Sequence, residues 1–142
     1  MRCNEKGIAI IKKYEGLKLE PYLCPAGIPT VGYGSVKAGK LGRNITEAEA
    51  EQFLKEDIEM CERGMKSLIL NQVTENQWSA LVCLVFNIGL GNFASSTLLK
   101  HLNKNERAQA AEQFQRWVFS KGKVLPGLEK RREAEKQLFL SI

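Results

Sequence analysis

Three residues with distinct chemistry, Glu15, Cys24 and Thr30, fall within the single stretch EGLKLEPYLCPAGIPTVGYGS, the carboxylate nine residues before the thiol and fifteen before the hydroxyl. A carboxyl group can act as a general acid, a thiol as a nucleophile or base, and a hydroxyl can orient water. Cleavage of a glycosidic bond needs such opposed groups, an acid for the leaving oxygen and a partner for water or for the sugar cation. Alone, Glu15 reads as one of many surface glutamates. A helix that ends on it, facing a glycine-rich hairpin that carries Cys24 and Thr30, would make it a general acid across a groove.

The elements that must position these groups follow from local patterning. Ile8, Ile11 and Tyr14 give residues 5–14 a short amphipathic helix ending at Gly16, with Glu15 at its C-terminal end. From 18 to 36 the residues alternate and are punctuated by Pro21, Pro25, Gly27, Pro29, Gly32 and Gly34, which suits a small antiparallel sheet with tight turns. Residues 37–45 read as an exposed loop. Thr46 with Glu49 is a capping-box signature opening a long helix, with Phe53, Leu54, Ile58, Cys61 and Met65 on one face. Thr74 with Gln77 repeats the signature before WSALVCLVFNI, a central buried helix stopped at Gly89. Ser95 or Ser96 can cap TLLKHLN, residues 106–119 read as a further helix, and Pro126 opens the last one at a first-turn position. The expected class is α+β and mostly helical.

Bulk properties narrow the function classes. The chain has 142 residues, 44% hydrophobic and 26% charged, which suits one compact domain and excludes disordered and collagen-like classes. No segment offers the ~18 uninterrupted apolar residues of a membrane span. Lys12 and Lys13 break the N-terminal apolar run and no small-residue cleavage site follows, so no signal peptide is expected. The formal charge of +5 favours a polyanionic partner: nucleic acid, a membrane surface or bacterial cell wall. Lys130, Arg131 and Arg132, with Lys121 and Lys123 before them, read either as a phosphate-binding patch or as a solvated helix face laced with Glu129, Glu133 and Glu135. The second reading is favoured because the acidic neighbours dilute any patch. Phe53, Trp78, Phe86, Phe114, Trp117 and Phe139 recur at helical spacing as core, which argues against nucleic-acid stacking. Cys3, Cys24, Cys61 and Cys83 match no metal or redox spacing, so no metal or cofactor is expected and the thiols should be free. Cys61 and Cys83 fit buried sites and Cys3 a mobile end.

The motif set resembles the phage-type lysozymes, the endolysins of glycoside hydrolase family 24. The resemblance rests on Glu15 and Thr30 at the family's catalytic spacing, TVGYG from Thr30, FNIG from Phe86 to Gly89, STLLKHLN, and GLEKRREAEKQLF near the end of the chain. It covers essentially the whole chain in the family's order. It implies a lysozyme-like fold: a β-containing N-terminal lobe over about 15–45, a linking helix over about 46–67, and a helical lobe over about 70–142 with the first helix packed on it. It also implies cleavage of peptidoglycan between N-acetylmuramic acid and N-acetylglucosamine. Glu15 would be the general acid, Thr30 would help hold the attacking water, and Cys24 takes the place usually held by Asp. Arg131 would approach Glu15 as a charged partner, and Val36, Phe86, Asn87 and Ser96 would line the sugar groove.

The departures from the family pattern are Ser35, where a His usually follows GYG, and Cys24 itself. With a reference pKa of ~8.5, a thiol is mostly neutral at pH 7, where an Asp would be an anion. Three readings of Cys24 stand open: a thiolate favoured by the cleft or by Lys18, a tolerated replacement, or a disabling change. A lytic transglycosylase giving 1,6-anhydro products and an inactivated cell-wall-binding module remain as alternatives. The resemblance further implies a monomer without stable membrane insertion. It would accumulate in the host cytoplasm until a separate holin releases it to the periplasm and cell wall.

Overall fold

The computed structural model describes residues 1–142, and its elements follow the caps in the sequence closely. Helix α1 (Glu5–Glu15) starts where the Asn4 side chain accepts the Gly7 N–H at 3.1 Å. It stops at Gly16, whose φ of 71° lies in the left-handed region that favours glycine. Strands β1 (Lys18–Leu23) and β2 (Pro29–Gly32) then pair antiparallel, with Tyr22 opposite Thr30 and an irregularity between Lys18 and Tyr22. The connecting turn closes through the Gly27 N–H on the Cys24 carbonyl at 2.7 Å.

The expected loop over 37–45 begins instead with one helical turn, α2 (Val36–Gly39), because the Ser35 side chain accepts the Ala38 N–H at 3.2 Å. Gly39 abuts β2 so closely that a Cβ there would overlap the Pro29 carbonyl. Helix α3 (Glu47–Leu68) carries both bonds of the Thr46/Glu49 capping box. Arg43 holds the Glu49 carboxyl down at about 2, helped by the Thr46 N–H. Along α3, Ala50 joins a small core with Val31, Ala38 and Ile45, while Leu54, Ile58 and Met65 join the main one. Phe53 and Cys61 are only half-buried. The helix therefore belongs to both cores and fixes one against the other.

The main core surrounds α4 (Glu75–Ile88), opened by the Thr74/Gln77 capping box, buried from Trp78 to Val85 and ended by Gly89. Helix α5 (Leu90–Ala94) is a short unexpected turn, and Ser96, not Ser95, caps α6 (Thr97–Asn103). The expected helix over 106–119 is broken. Helix α7 (Arg107–Glu112) gives way to a 3-10 turn over Gln113–Arg116, and then to a hairpin of β3 (Phe119–Ser120) and β4 (Lys123–Val124). Lys121 and Gly122, at φ 52° and 78°, form the two-residue turn whose twist suits a tight hairpin. Helix α8 (Pro126–Leu140) begins with Pro126 in its first turn.

Two expectations about polar groups are overturned. Glu129, Lys130 and Glu133 face solvent, but Arg131, Arg132 and Glu135 are 3%, 0% and 0% exposed, so α8 is not simply a solvated charged face. Their mutual pairing, described below, is what lets them leave water. Cys3 is half-buried rather than on a mobile end, because its N–H is held by the Glu62 carboxylate at 2.7 Å and the next N–H by Ser79 Oγ at 2.8 Å. All four cysteines are free thiols.

The contact of Gly39 with Pro29 carries a stability prediction. Gly39→Ala should lower stability by about 1–3 kcal/mol, the usual cost of overpacking. Urea unfolding followed by circular dichroism measures it, and an unchanged midpoint would show that β2 yields to the extra methyl group.

Candidate active site

The site forms where the end of α1 meets α8 and the β1–β2 hairpin. Gly16 turns the chain immediately after Glu15, leaving that side chain at the helix end. Arg131 reaches it from α8, donating from Nη1 to Glu15 Oε2 at 2.8 Å. The other carboxylate oxygen lies against Gly34: a Cβ there would stand 2.7 Å from Oε1, and Gly34 has a φ of 75°. Backbone conformation and close approach both require glycine at this point of the TVGYG stretch.

Arg131 is itself fixed from behind. Its Nε donates to Glu135 Oε2 at 3.1 Å and its Nη2 to the Cys83 carbonyl at 3.3 Å. Arg132 shares the same carboxylate, donating from Nη2 to Glu135 Oε2 at 3.3 Å, and reaches Asn87 Oδ1 at 2.8 Å. Its Nε stands 2.9 Å from Glu135 Oε1 without the alignment of a hydrogen bond, so that contact is Coulombic. Burial pushes the Glu135 carboxyl up to about 6 against the pull of both arginines. Burial also lowers Arg131, but Glu135 and Glu15 outweigh it and leave this guanidinium raised above its ordinary value. For Arg132 burial prevails and the shift is downward. Arg131, with an acid on either side, is the secure cation of the group.

On the hairpin, Cys24 sits half-buried at the end of β1. Backbone donors of the turn, first Ile28 and then Ala26, lower its thiol pKa. This favours the thiolate in the way an anion is favoured by converging N–H groups. Thr30 is 2% exposed and donates from Oγ1 to the Ile28 carbonyl at 2.9 Å. Lys18, suggested as a source of thiolate stabilisation, is not among the groups acting on Cys24; the turn backbone is.

Tyr22 is the site residue that the sequence reading missed. It pairs with Thr30 across the ladder, and its phenol is raised by burial and by the charges of Glu15 and Cys24, which places it near both. The alternating pattern marked it as strand, but nothing in the pattern said that it faces the carboxylate. Ser35 caps α2 and its hydroxyl also acts on Asp57, whose carboxyl burial raises.

The four groove candidates fare differently. Val36 is exposed at the start of α2 on the hairpin side. Phe86 is half-buried and Asn87 exposed at the end of α4, where the Asn87 Nδ2 stays free to donate while Oδ1 is held by Arg132. Ser96 is buried, its hydroxyl donating to the Phe93 carbonyl at 2.7 Å and accepting the Leu99 N–H at 3.1 Å. That hydroxyl is spent on capping α6 and does not reach a groove.

Comparison with known proteins places this arrangement. Residues 12–135 match the family model described as phage lysozyme. The chain is 46% identical to an endolysin of Acyrthosiphon pisum secondary endosymbiont phage 1, with 99% of each chain covered. Its fold superposes on a lysozyme mutant of phage P22 with a TM-score of 0.86 at 36% identity, covering 99% of both chains. It superposes on the muramidase domain of SpmX from Asticaccaulis excentricus with a TM-score of 0.92 at 31% identity, again over 99% of both.

The thiol environments predict selective chemistry. Burial raises Cys61 to about 12, and Cys83 is raised by the neighbouring Cys3 thiol and by burial, whereas Cys24 is lowered and accessible. Limited iodoacetamide treatment at neutral pH should therefore label Cys24 ahead of Cys61 and Cys83 on peptide mapping. The midpoint of its rate against pH should lie below that of an ordinary exposed thiol. A midpoint at or above that value would remove the argument for a thiolate.

Proposed function

From the premise that this chain belongs to the phage lysozyme family and is a peptidoglycan-hydrolysing enzyme, we propose that it cleaves the β-1,4 bond between N-acetylmuramic acid and N-acetylglucosamine with Glu15 as general acid. The observation that carries this reading is the grip of the buried Arg131 on one oxygen of Glu15, with Tyr22 of the Cys24 and Thr30 hairpin near enough to feel the charges of both Glu15 and Cys24. Protonated Glu15 delivers its proton to the departing glycosidic oxygen. The guanidinium then stabilises the carboxylate that remains, so the charge created by the transfer meets a cation already in place.

Water is the second reactant. Thr30 commits its hydroxyl proton to Ile28 and keeps lone pairs with which to accept a bond from water. A Cys24 thiolate stands beside it as a further acceptor, aiming the water oxygen at the sugar carbon. Of the three readings of Cys24, the lowered pKa supports this one. Asn87, through its free Nδ2, and the exposed edge of Phe86 are the sugar contacts on the helical side, with Val36 on the hairpin side. In the same reading the monomeric enzyme waits in the host cytoplasm, and a separate holin admits it to the wall.

Two measurements test the assignment. Glu15→Gln, confirmed as folded by circular dichroism, should lower lysis of permeabilised Gram-negative cells by about 10²–10⁴-fold, the usual worth of a general acid. Residual activity near the parent's would exclude Glu15 as the acid. Mass spectrometry of the released muropeptides should show one added water at each new end. A 1,6-anhydro end would instead mean that the muramyl hydroxyl, not water, attacks.

A further inference from the structure

Glu135 is fully buried and contacts none of Glu15, Cys24 and Thr30, yet two routes to the site pass through it. One runs from Glu135 Oε2 through Arg131 to Glu15, at 3.1 and 2.8 Å. The other runs from the same carboxylate through Arg132 to Asn87, at 3.3 and 2.8 Å. Arg131, Arg132 and Glu135 lie within two turns of α8, which packs against α4, the carrier of Asn87, and against α1, the carrier of Glu15. We propose that Glu135 is a positioning residue, a single buried carboxylate that holds Arg131 on the proton donor and Arg132 on the sugar-contacting Asn87. Acid and glycan contact then shift together. This rests on the roles proposed above for Glu15 and Asn87.

The physical warrant is the cost of the alternative. Two guanidinium groups on adjacent residues, both withdrawn from water, repel each other, and an anion between them is the arrangement that makes their burial affordable. With that anion present each arginine also donates to one backbone carbonyl, Arg131 to Cys83 and Arg132 to Trp117, and its remaining side-chain partner is Glu15 or Asn87 respectively. Without it, Arg131 and Arg132 would turn towards water or towards each other's partners. The groups facing Glu135 are Arg131 and Arg132 on its own helix, Cys83 on α4, and Glu15 on α1 through Arg131. Cys83 is raised well above its ordinary value and stays neutral at working pH, so the two arginines set the charge that Glu135 meets.

Because Glu135 takes up a proton near pH 6, the clamp is engaged above that pH and released below it. The test is a kcat, KM and pH profile on purified peptidoglycan for the parent, Glu15→Gln, Glu135→Gln and Arg132→Met, each checked for a folded circular dichroism spectrum. A positioning role predicts that folded Glu135→Gln loses about 10²-fold in kcat, as expected for a misplaced catalytic group. It also predicts a fall in kcat below about pH 6 in the parent that is absent from this variant. A merely structural role would lower the unfolding midpoint and leave the shape of the profile unchanged, which would overturn the proposal. If Glu135→Gln does not fold, Arg132→Met decides: kcat and KM both impaired support the coupling, and KM alone impaired refutes it. Parent-like activity in Glu15→Gln would overturn the underlying reading of the acid, whereas an inactive Glu15→Gln beside a parent-like Glu135→Gln would overturn only the role of Glu135.

Discussion

The structure depends on a neutral cluster of buried charge, Glu15 and Glu135 alternating with Arg131 and Arg132. Withdrawing each ion from water costs several kcal/mol even after relaxation, and only close, alternating partners offset that. The cluster therefore requires α1, α4 and α8 to meet at one place, and these three helices do pack on one another. It also makes its members interdependent, since removing one charge leaves its neighbour buried and unpaired, at a cost of about 3–5 kcal/mol. In a protein this small, that is a large part of total stability. The same bonds that make the cluster tolerable also set the orientation of the one carboxylate at its edge that is partly open to solvent.

Everything on the other side of Glu15 is supplied by backbone. Gly16 ends α1 at the right residue, Gly34 lets the chain pass under the carboxylate, and the turn after β1 points N–H groups at Cys24. An Asp at position 24 would be an anion without help. A thiol needs such donors to ionise near neutral pH, and the turn supplies them. Helix α3, shared between the two cores, keeps the hairpin at a fixed distance from the helical side. The chemistry thus lies between a rigid charged anchor and a backbone-built anion site.

Much of this was legible in the residues and some of it could not have been. Thr46 with Glu49, Thr74 with Gln77, Asn4, Ser96 and Pro126 each act within one helical turn, so their effect can be read locally. Short elements such as α2, α5 and the β3–β4 hairpin are another matter. A strand of two residues has no period, and Lys121 in a left-handed conformation is a response to its surroundings rather than a local preference. The family resemblance named Arg131 as the partner of Glu15, but the burial of Arg132 and Glu135 behind it was the costliest omission. Along α8 these residues look like a solvated helix face, and only partners on other helices, the farthest 116 residues away, distinguish the two cases. Tyr22 was hidden for a related reason: its nearness to Glu15 depends on contacts outside its own strand.

The central claim is that Glu15 and Arg131 act as one unit, the guanidinium stabilising the carboxylate that proton transfer creates. A double-mutant cycle on purified peptidoglycan tests it most directly, using Glu15→Gln, Arg131→Gln and the double variant, each confirmed as folded. If the pair is a unit, Arg131→Gln loses much of what Glu15→Gln loses, and the double variant is no slower than the slower single one. Additive losses, or an Arg131→Gln variant as fast as the parent, would contradict the account.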